Sequence, residues 1–319
     1  MKDKFNSPTE VLAKTLDGTV KKVTMPFLHM AVLSVMAGIF IALGAATSST
    51  AAHAIKDVGV ARLVSGVIFP VGLMMVVIVG GELFTGNCMT ILGIMKKRFP
   101  LSLCVKDLII VWIFNFVGAA LVDLLVFYSG NFDYSGGLLG AYTIKVALGK
   151  ASLSFSKGVA SGILCNLFVC VAILAATASK DIIGKVFGIF FPIMAFVVGG
   201  FEHCVANMYY IPAGMLAATN PAYVQKAMDE YGITSEQITY LLSSNALSNN
   251  LVAVTIGNII GGMFFVAVPY SIVYLKKTKL EKLEKEKVEK IEKTEKSEKS
   301  EKSEKSEKSG KEIVSINKF

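Results

Sequence analysis

The chain has 319 residues, 53% of them apolar, with a net charge of +8, five cysteines and three histidines. Its apolar residues run in long blocks rather than amphipathic stripes, which excludes a soluble core and points to an all-α, multi-span membrane protein. From Lys276 onward lie 15 lysines and 11 acids, so the preceding residues carry only +4, which argues against a nucleic-acid partner.

Residues 1–24 read as an amphipathic cytoplasmic leader. Ser7-Pro8 is a helix start signal, and Val11, Leu12, Leu16 and Val20 follow at roughly helical spacing. Such a helix can lie on the membrane surface or close a pore mouth. Apolar windows of about 20 residues, the length a helix needs to cross hydrocarbon, fall near 27–47, 63–95, 107–129, 157–179, 186–216 and 248–275. They define a six-helix channel domain at 25–275, in which the second and fifth spans are too long for one straight crossing and are read as broken. The first span follows a charged leader and has full length, so no cleavable signal peptide is expected. Residues 276–319 form a Lys/Glu-rich low-complexity tail with Glu-Lys-Ser repeated, and it receives no transport role.

Six spans put both termini on one side. That side holds Lys2, Lys4, Lys14, Lys21, Lys22, Lys96, Lys97, Arg98, Lys106, Lys180, Lys185, Lys276, Lys277 and Lys279, whereas the other holds Lys56, Arg62, Lys145, Lys150, Lys157 and Lys226. The excess predicts cytoplasmic termini in a multi-pass protein of a bacterial plasma membrane. Cys88, Cys104, Cys165, Cys170 and Cys204 are odd in number and lack C-x-x-C spacing, so they read as buried small residues rather than disulfides or zinc ligands.

Two blocks stand out within the broken spans: Gly-Gly-Glu-Leu-Phe-Thr-Gly-Asn at 80–87 and Gly-Gly-Phe-Glu-His-Cys-Val-Ala-Asn at 199–207. Both have paired glycines, a central acid and a closing asparagine, and each follows a Phe-Pro pair, Phe69-Pro70 and Phe191-Pro192. Asn115 with Gly118 in span three is echoed by Asn258 with Gly261 in span six. The chain therefore repeats after three spans, and an odd number of crossings inverts the second copy. Small residues at four-residue spacing, Gly38, Ala42 and Ala46, and Gly257 with Gly261, suit close helix packing.

A helix break in a membrane is tolerated only where it lines a cavity or is buried in protein. Unpaired amides and the positive helix end then favour small anions. Gly80, Gly81, Gly86, Gly199 and Gly200 are read as the turning points, Thr85 as a hydroxyl donor, and Phe69, Leu73, Leu83, Phe84 and Phe196 as apolar collars. His203 can donate to an anion or exchange a proton with it, or can be packed against Glu202 or a backbone carbonyl. Glu82 and Glu202 would repel anions, so they are assigned to holding the breaks in shape together with Gly81, Gly86, Asn87, Gly200 and Asn207. Lys150 and Lys157 can draw anions to the mouth or anchor helix ends. Asn115, Asn166 and Asn258 read as interhelical hydrogen-bonding residues or as lumen donors. His29 and His53 lack sequence partners, and Asp123 finds no role.

With these residues in place, the two blocks together resemble the signatures of the formate/nitrite transporter family, which includes formate, nitrite and hydrosulfide channels. The likeness spans about residues 5–275. It implies a homopentamer with a pore in each protomer and an aquaporin-like inverted arrangement. It also implies constriction residues Phe69, Leu73 and Leu83 with Phe196 on the other side, a substrate-contacting pair Thr85 and His203, a vestibule lysine Lys150, and lumen residues Asn166 and Asn258. The function expected is passage of small monovalent weak-acid anions, formate first, hydrosulfide second and nitrite third, with protons as partners and the lipid bilayer as surroundings. No cofactor, metal or enzymatic activity is expected. The alternative is an aquaporin-like neutral-solute channel, against which the absence of paired Asn-Pro-Ala motifs counts.

Overall fold

A computed structural model of the protein describes residues 5–275, so the Lys/Glu-rich tail expected at 276–319 lies outside the described residues. Helix α1 (Pro8–Val23) begins at a reciprocal cap, in which Ser7 Oγ accepts the Glu10 amide and Glu10 Oε2 accepts the Ser7 amide at 2.7 Å. Its buried face is Val11, Leu12, Leu16, Thr19 and Val23, and Asn6 fastens the segment before it to the carbonyls of Thr177 (2.7 Å) and Ala178 (2.8 Å). The amphipathic pattern in the sequence thus becomes a helix seated on the membrane domain.

Six helical segments among the described residues are long and apolar enough to cross a bilayer. They are α2 (Phe27–Ala52), α3 (Val58–Gly80), α5 (Leu101–Tyr128), α7 (Phe155–Ala178), α8 (Ile182–Gly199) and α12 (Ser244–Tyr274). Two shorter helices complete the broken crossings: α4 (Phe84–Met95) follows α3, and α9 (Cys204–Ala217) follows α8. The expected six spans with breaks in the second and fifth are therefore present. Large apolar side chains such as Leu28, Ile109, Leu125, Phe187, Phe264 and Ile272 face outward, as a hydrocarbon or protein surround requires.

The repeat is visible in the packing. Helices α2 and α5 lie together in the first half, α7 and α12 in the second, and α3 meets α8 between them. At both paired crossings backbone meets backbone. A Cβ on Gly38 would strike the Asn115 main chain and one on Gly118 the main chain of Val35 and Ile39; Gly162 likewise faces Val254 and Gly257, and Gly261 faces Ile163. Helices associating in lipid lack a hydrophobic drive toward one another, so close approach through small residues supplies the attraction.

Three helices escaped the sequence reading: α6 (Tyr134–Ala151), α10 (Pro221–Tyr231) and α11 (Ser235–Leu241). α6 starts in a left-handed turn, with positive φ at Ser135, Gly136 and Gly137, and its mixed composition does not mark it as a span. His53, which lacked sequence partners, anchors this turn: one ring nitrogen lies 2.6 Å from the Thr50 carbonyl and the other 2.9 Å from Ser135 Oγ.

Gly38→Ala and Gly162→Ala should each lower the unfolding temperature of the purified protein, because overpacking costs about 1–3 kcal/mol. Gly18→Ala, on α1 with nothing within 4 Å of the new methyl, should raise it slightly through better helix propensity. Thermal unfolding in detergent monitored by tryptophan fluorescence compares the three.

Candidate functional site

Both helix breaks are short stretches of extended chain. Gly80 (φ 111°) and Gly200 (φ 71°) occupy the left-handed region and turn the chain, whereas Gly81 is extended, Gly199 is the last residue of α8 and Gly86 lies within α4. Only two of the five glycines read as turning points therefore need glycine's freedom at φ. Gly86 is instead held small by Ile173, and Gly81 by Ala37.

A buried asparagine braces each break. Asn115 Oδ1 accepts the Phe84 amide (2.9 Å), the first of α4, while its Nδ2 donates to the carbonyls of Ser34 (2.7 Å) and Glu82 (2.9 Å). Asn258 does the same for the other half, accepting the Cys204 amide (2.9 Å) and donating to the carbonyls of Gly162 (2.8 Å) and Glu202 (3.0 Å). Asn166 joins the two systems, since its Nδ2 donates to the Thr85 (3.1 Å) and Asn258 (2.6 Å) carbonyls. Asn166 and Asn258 thus use both amide hydrogens on the backbone, and they line neither cavity described below. The leading amides of α4 and α9 are also taken, so the expected array of open donors is smaller than the sequence suggested.

The acids are handled in parallel. Glu82 Oε2 accepts from Lys22 Nζ (2.5 Å) on α1 and from Asn87 Nδ2 (2.9 Å), and Glu202 accepts from Lys150 Nζ (2.9 Å) on α6 and from Asn207 Nδ2 (2.6 Å). Lys150 Nζ also stands 5.0 Å from the Tyr210 ring centroid. Each carboxylate therefore has its own cation, as near-dry burial demands. In the sequence Lys22 carries only an orientation signal, and nothing local ties it to Glu82, 60 residues away.

At the centre the two breaks touch: Thr85 Oγ1 lies 3.1 Å from His203 Nε2. His203 Nδ1 caps α9 by accepting the Ala206 amide at 3.1 Å. An amide N–H cannot accept, so Nδ1 carries the lone pair and Nε2 the proton, which points at Thr85. The imidazole stacks on Phe196 at 6.1 Å between ring centroids, and Phe196 meets Phe69 edge-to-face at 5.6 Å.

Two cavities approach this centre from opposite sides and share no lining residue. One, of ≈ 490 Å³, is lined by Phe69, Phe196, Glu202 and His203 and by the basic residues Lys56, Arg62, Lys145 and Lys150. The other, of ≈ 390 Å³, lies under α1 and is lined by Leu73, Leu83, Glu82, Asn87, Lys14 and Lys22. The apolar collars thus group as Phe69 with Phe196 and Leu73 with Leu83, not as three against one. Lys157 lines neither cavity. Among the described residues no three of His, Cys, Asp or Glu converge as a metal site. Asp123 is buried with neither carboxylate oxygen paired, and nothing in the structure explains it.

Two inverted three-span repeats with touching helix breaks, and a lysine-bearing cavity on either side, define a multi-pass membrane protein of the channel type. A model of the formate/nitrite transporter family matches residues 9–272. The chain is 38% identical over 296 residues to a probable formate transporter of Methanothermobacter thermautotrophicus, covering 87% of this chain and 100% of that one. It is 32% identical over 262 residues to the formate channel FocA of Escherichia coli K12, covering 81% and 90%. Among solved structures, a pentameric formate channel with formate bound superposes with a TM-score of 0.68 at 29% identity over 78% of this chain and 98% of that one. A second ion channel of the family gives 0.70 at 27% identity over 82% and 98%. The protein belongs to the formate/nitrite transporter family, whose members matched here are channels and transporters rather than enzymes.

Asn115→Leu and Asn258→Leu should each destabilise the protein strongly, since either strands one amide and two carbonyls in a dry interior at about 1–3 kcal/mol per group. Loss of monodisperse protein after mild heating, with Asn245→Leu at the exposed start of α12 unaffected, is the expected outcome.

Proposed function

We propose that the protein conducts small monovalent weak-acid anions, with formate the leading substrate, hydrosulfide second and nitrite third, through a pore in each protomer of a homopentamer. The observation that carries this reading is the Thr85–His203 contact between two cavities, one lined by Lys56, Arg62, Lys145 and Lys150 with Phe69 and Phe196, the other by Lys14 and Lys22 with Leu73 and Leu83. The naming of its relatives as formate channels, and the pentameric structure among its neighbours, support the substrate and the assembly. The excess of Lys and Arg on the α1 side supports cytoplasmic termini.

Lys56, Arg62, Lys145 and Lys150 concentrate anions at the outer cavity and hold off cations. A bare charge cannot pass Phe69 and Phe196 without a large desolvation cost. Weak-acid anions escape that cost because they can take a proton from cavity water and cross as the neutral acid. At the centre, His203 Nε2–H turns from Thr85 to the substrate, and the Thr85 hydroxyl proton, not needed for the histidine, becomes a second donor. The cap on Nδ1 favours donation of a hydrogen bond over donation of the ring proton, because removing Nε2–H from a neutral ring would leave an imidazolate. Leu73 and Leu83 then form the second dry step before the cavity under α1, where Lys14 and Lys22 receive the re-ionised anion. In this scheme α1, tied to the domain by Asn6 and Lys22, is the element that restricts the inner mouth.

His203→Phe should reduce formate and hydrosulfide flux into proteoliposomes at least tenfold, the loss of a hydrogen bond to a charged or strongly polar group being about 1.5–3 kcal/mol. Thr85→Val should reduce it less, because one donor remains. Undiminished flux in His203→Phe would remove the imidazole from the mechanism, and rapid water or glycerol permeation by the intact protein would favour a neutral-solute channel instead.

A further inference from the structure

The two halves of the protein are not electrically equal. In the α9 half, the lysine, glutamate and asparagine cluster ends on Asn250, whose Oδ1 accepts from Asn207 Nδ2 (2.7 Å) and whose Nδ2 donates to the Lys150 carbonyl (2.8 Å). In the α4 half the corresponding place belongs to Asp107, whose Oδ2 accepts from Asn87 Nδ2 at 3.0 Å. That amide also donates to Glu82 Oε2 at 2.9 Å, so two carboxylates share one asparagine and one lysine. Lys22 Nζ reaches Glu82 Oε2 and Asn87 Oδ1 (2.9 Å), and it makes no hydrogen bond to Asp107.

Asp107 is 1% exposed, and its Oδ1 is buried without a hydrogen-bond partner. The charged or titratable groups set against it are Lys22 from α1, Glu82 from the break, and Cys104 one turn earlier on its own helix. One positive charge therefore faces two acids. A carboxylate withdrawn from water without its own counter-charge takes up a proton rather than remain ionised, and a second carboxylate on the same amide strengthens that preference.

We propose that Asp107 holds a proton on Oδ1 in the resting protein, a proton site on the α1 side that the inverted half lacks. The proton comes from solvent in the cavity under α1, which Glu82 lines, and no other bond changes. With the proton bound, the cluster of Lys22, Glu82 and Asp107 is neutral, like Lys150 with Glu202. When rising pH removes it, a net negative charge appears at the wall of the inner cavity and opposes an entering anion. The inverted halves thus acquire different responses to pH from one substitution, an aspartate where the mirror cluster has an asparagine.

The proton assignment stands apart from the transport reading; only its effect on flux rests on that reading. Infrared spectra of the full-length protein in lipid at neutral pH should show protonated-carboxyl C=O absorption from which Asp107→Asn removes one component, distinct from the component that Asp123→Asn removes. Asn250→Asp, which gives the mirror cluster two acids to one lysine, should add such a band. If Asp107→Asn removes no band, or Asn250→Asp adds none, Asp107 is ionised and the proposal fails. In proteoliposomes with pH raised equally on both sides, formate flux through Asp107→Asn relative to wild type should climb by about tenfold across the titration. That is the effect of one unit charge at roughly 10 Å under an effective dielectric of about 20. A constant ratio alongside the expected bands would overturn the coupling of the Asp107 proton to anion passage, whereas absence of formate flux in the wild type would overturn the transport reading alone.

Discussion

The structure depends on satisfying main-chain polar groups at two interruptions inside a dry, helical interior. An interrupted helix exposes amides and carbonyls that lipid cannot solvate, and here each interruption is closed by one asparagine reaching across from the third helix of its own repeat. Asn115 and Asn258 each satisfy one amide and two carbonyls, and the second carbonyl in each case belongs to the first helix of the repeat. That geometry requires the first and third helices to approach within backbone contact. Gly38, Gly118, Gly162 and Gly261 permit it. Hydrogen bonding and close packing are thus two aspects of one constraint.

Once the breaks are braced, charge becomes the second problem. Glu82 and Glu202 lie at the breaks and are almost fully buried, and buried carboxylates stay charged only beside cations. The protein recruits those cations from outside the six spans, Lys22 from the leading helix and Lys150 from α6. Both ion pairs sit at the edges of the two cavities, so the groups that neutralise the scaffold also line the approaches to the centre. Phe69 and Phe196 lie with His203 on the wall of one cavity, and Leu73 and Leu83 on the wall of the other.

Much of this was legible in the residues because membrane insertion imposes strong, local rules. Span length, the overlong second and fifth segments, and the paired glycine-acid-asparagine blocks each follow from how backbone must behave in hydrocarbon. Other features had no local signal. Lys22 and Glu82 meet across 60 positions, Asn115 and Phe84 across 31, and only folding reveals which lysine answers which acid. Asn166 and Asn258 looked able to face a lumen, but the structure commits their amides to carbonyls on other helices. Helix α6 was missed because its left-handed start at Ser135, Gly136 and Gly137 reads locally as a loop.

By itself the sequence determined the class of molecule, the number of crossings, the inverted repeat and the positions of both interruptions. These follow from hydrophobic length and from residue types that only an interrupted membrane helix needs. The tertiary structure alone decided which glycines turn the chain, which collars pair, which cation belongs to which carboxylate, and that the imidazole's Nδ1 caps a helix while Nε2 faces Thr85. Those outcomes depend on contacts between distant segments, and no pattern along a chain records which partners an inward-facing polar atom will find.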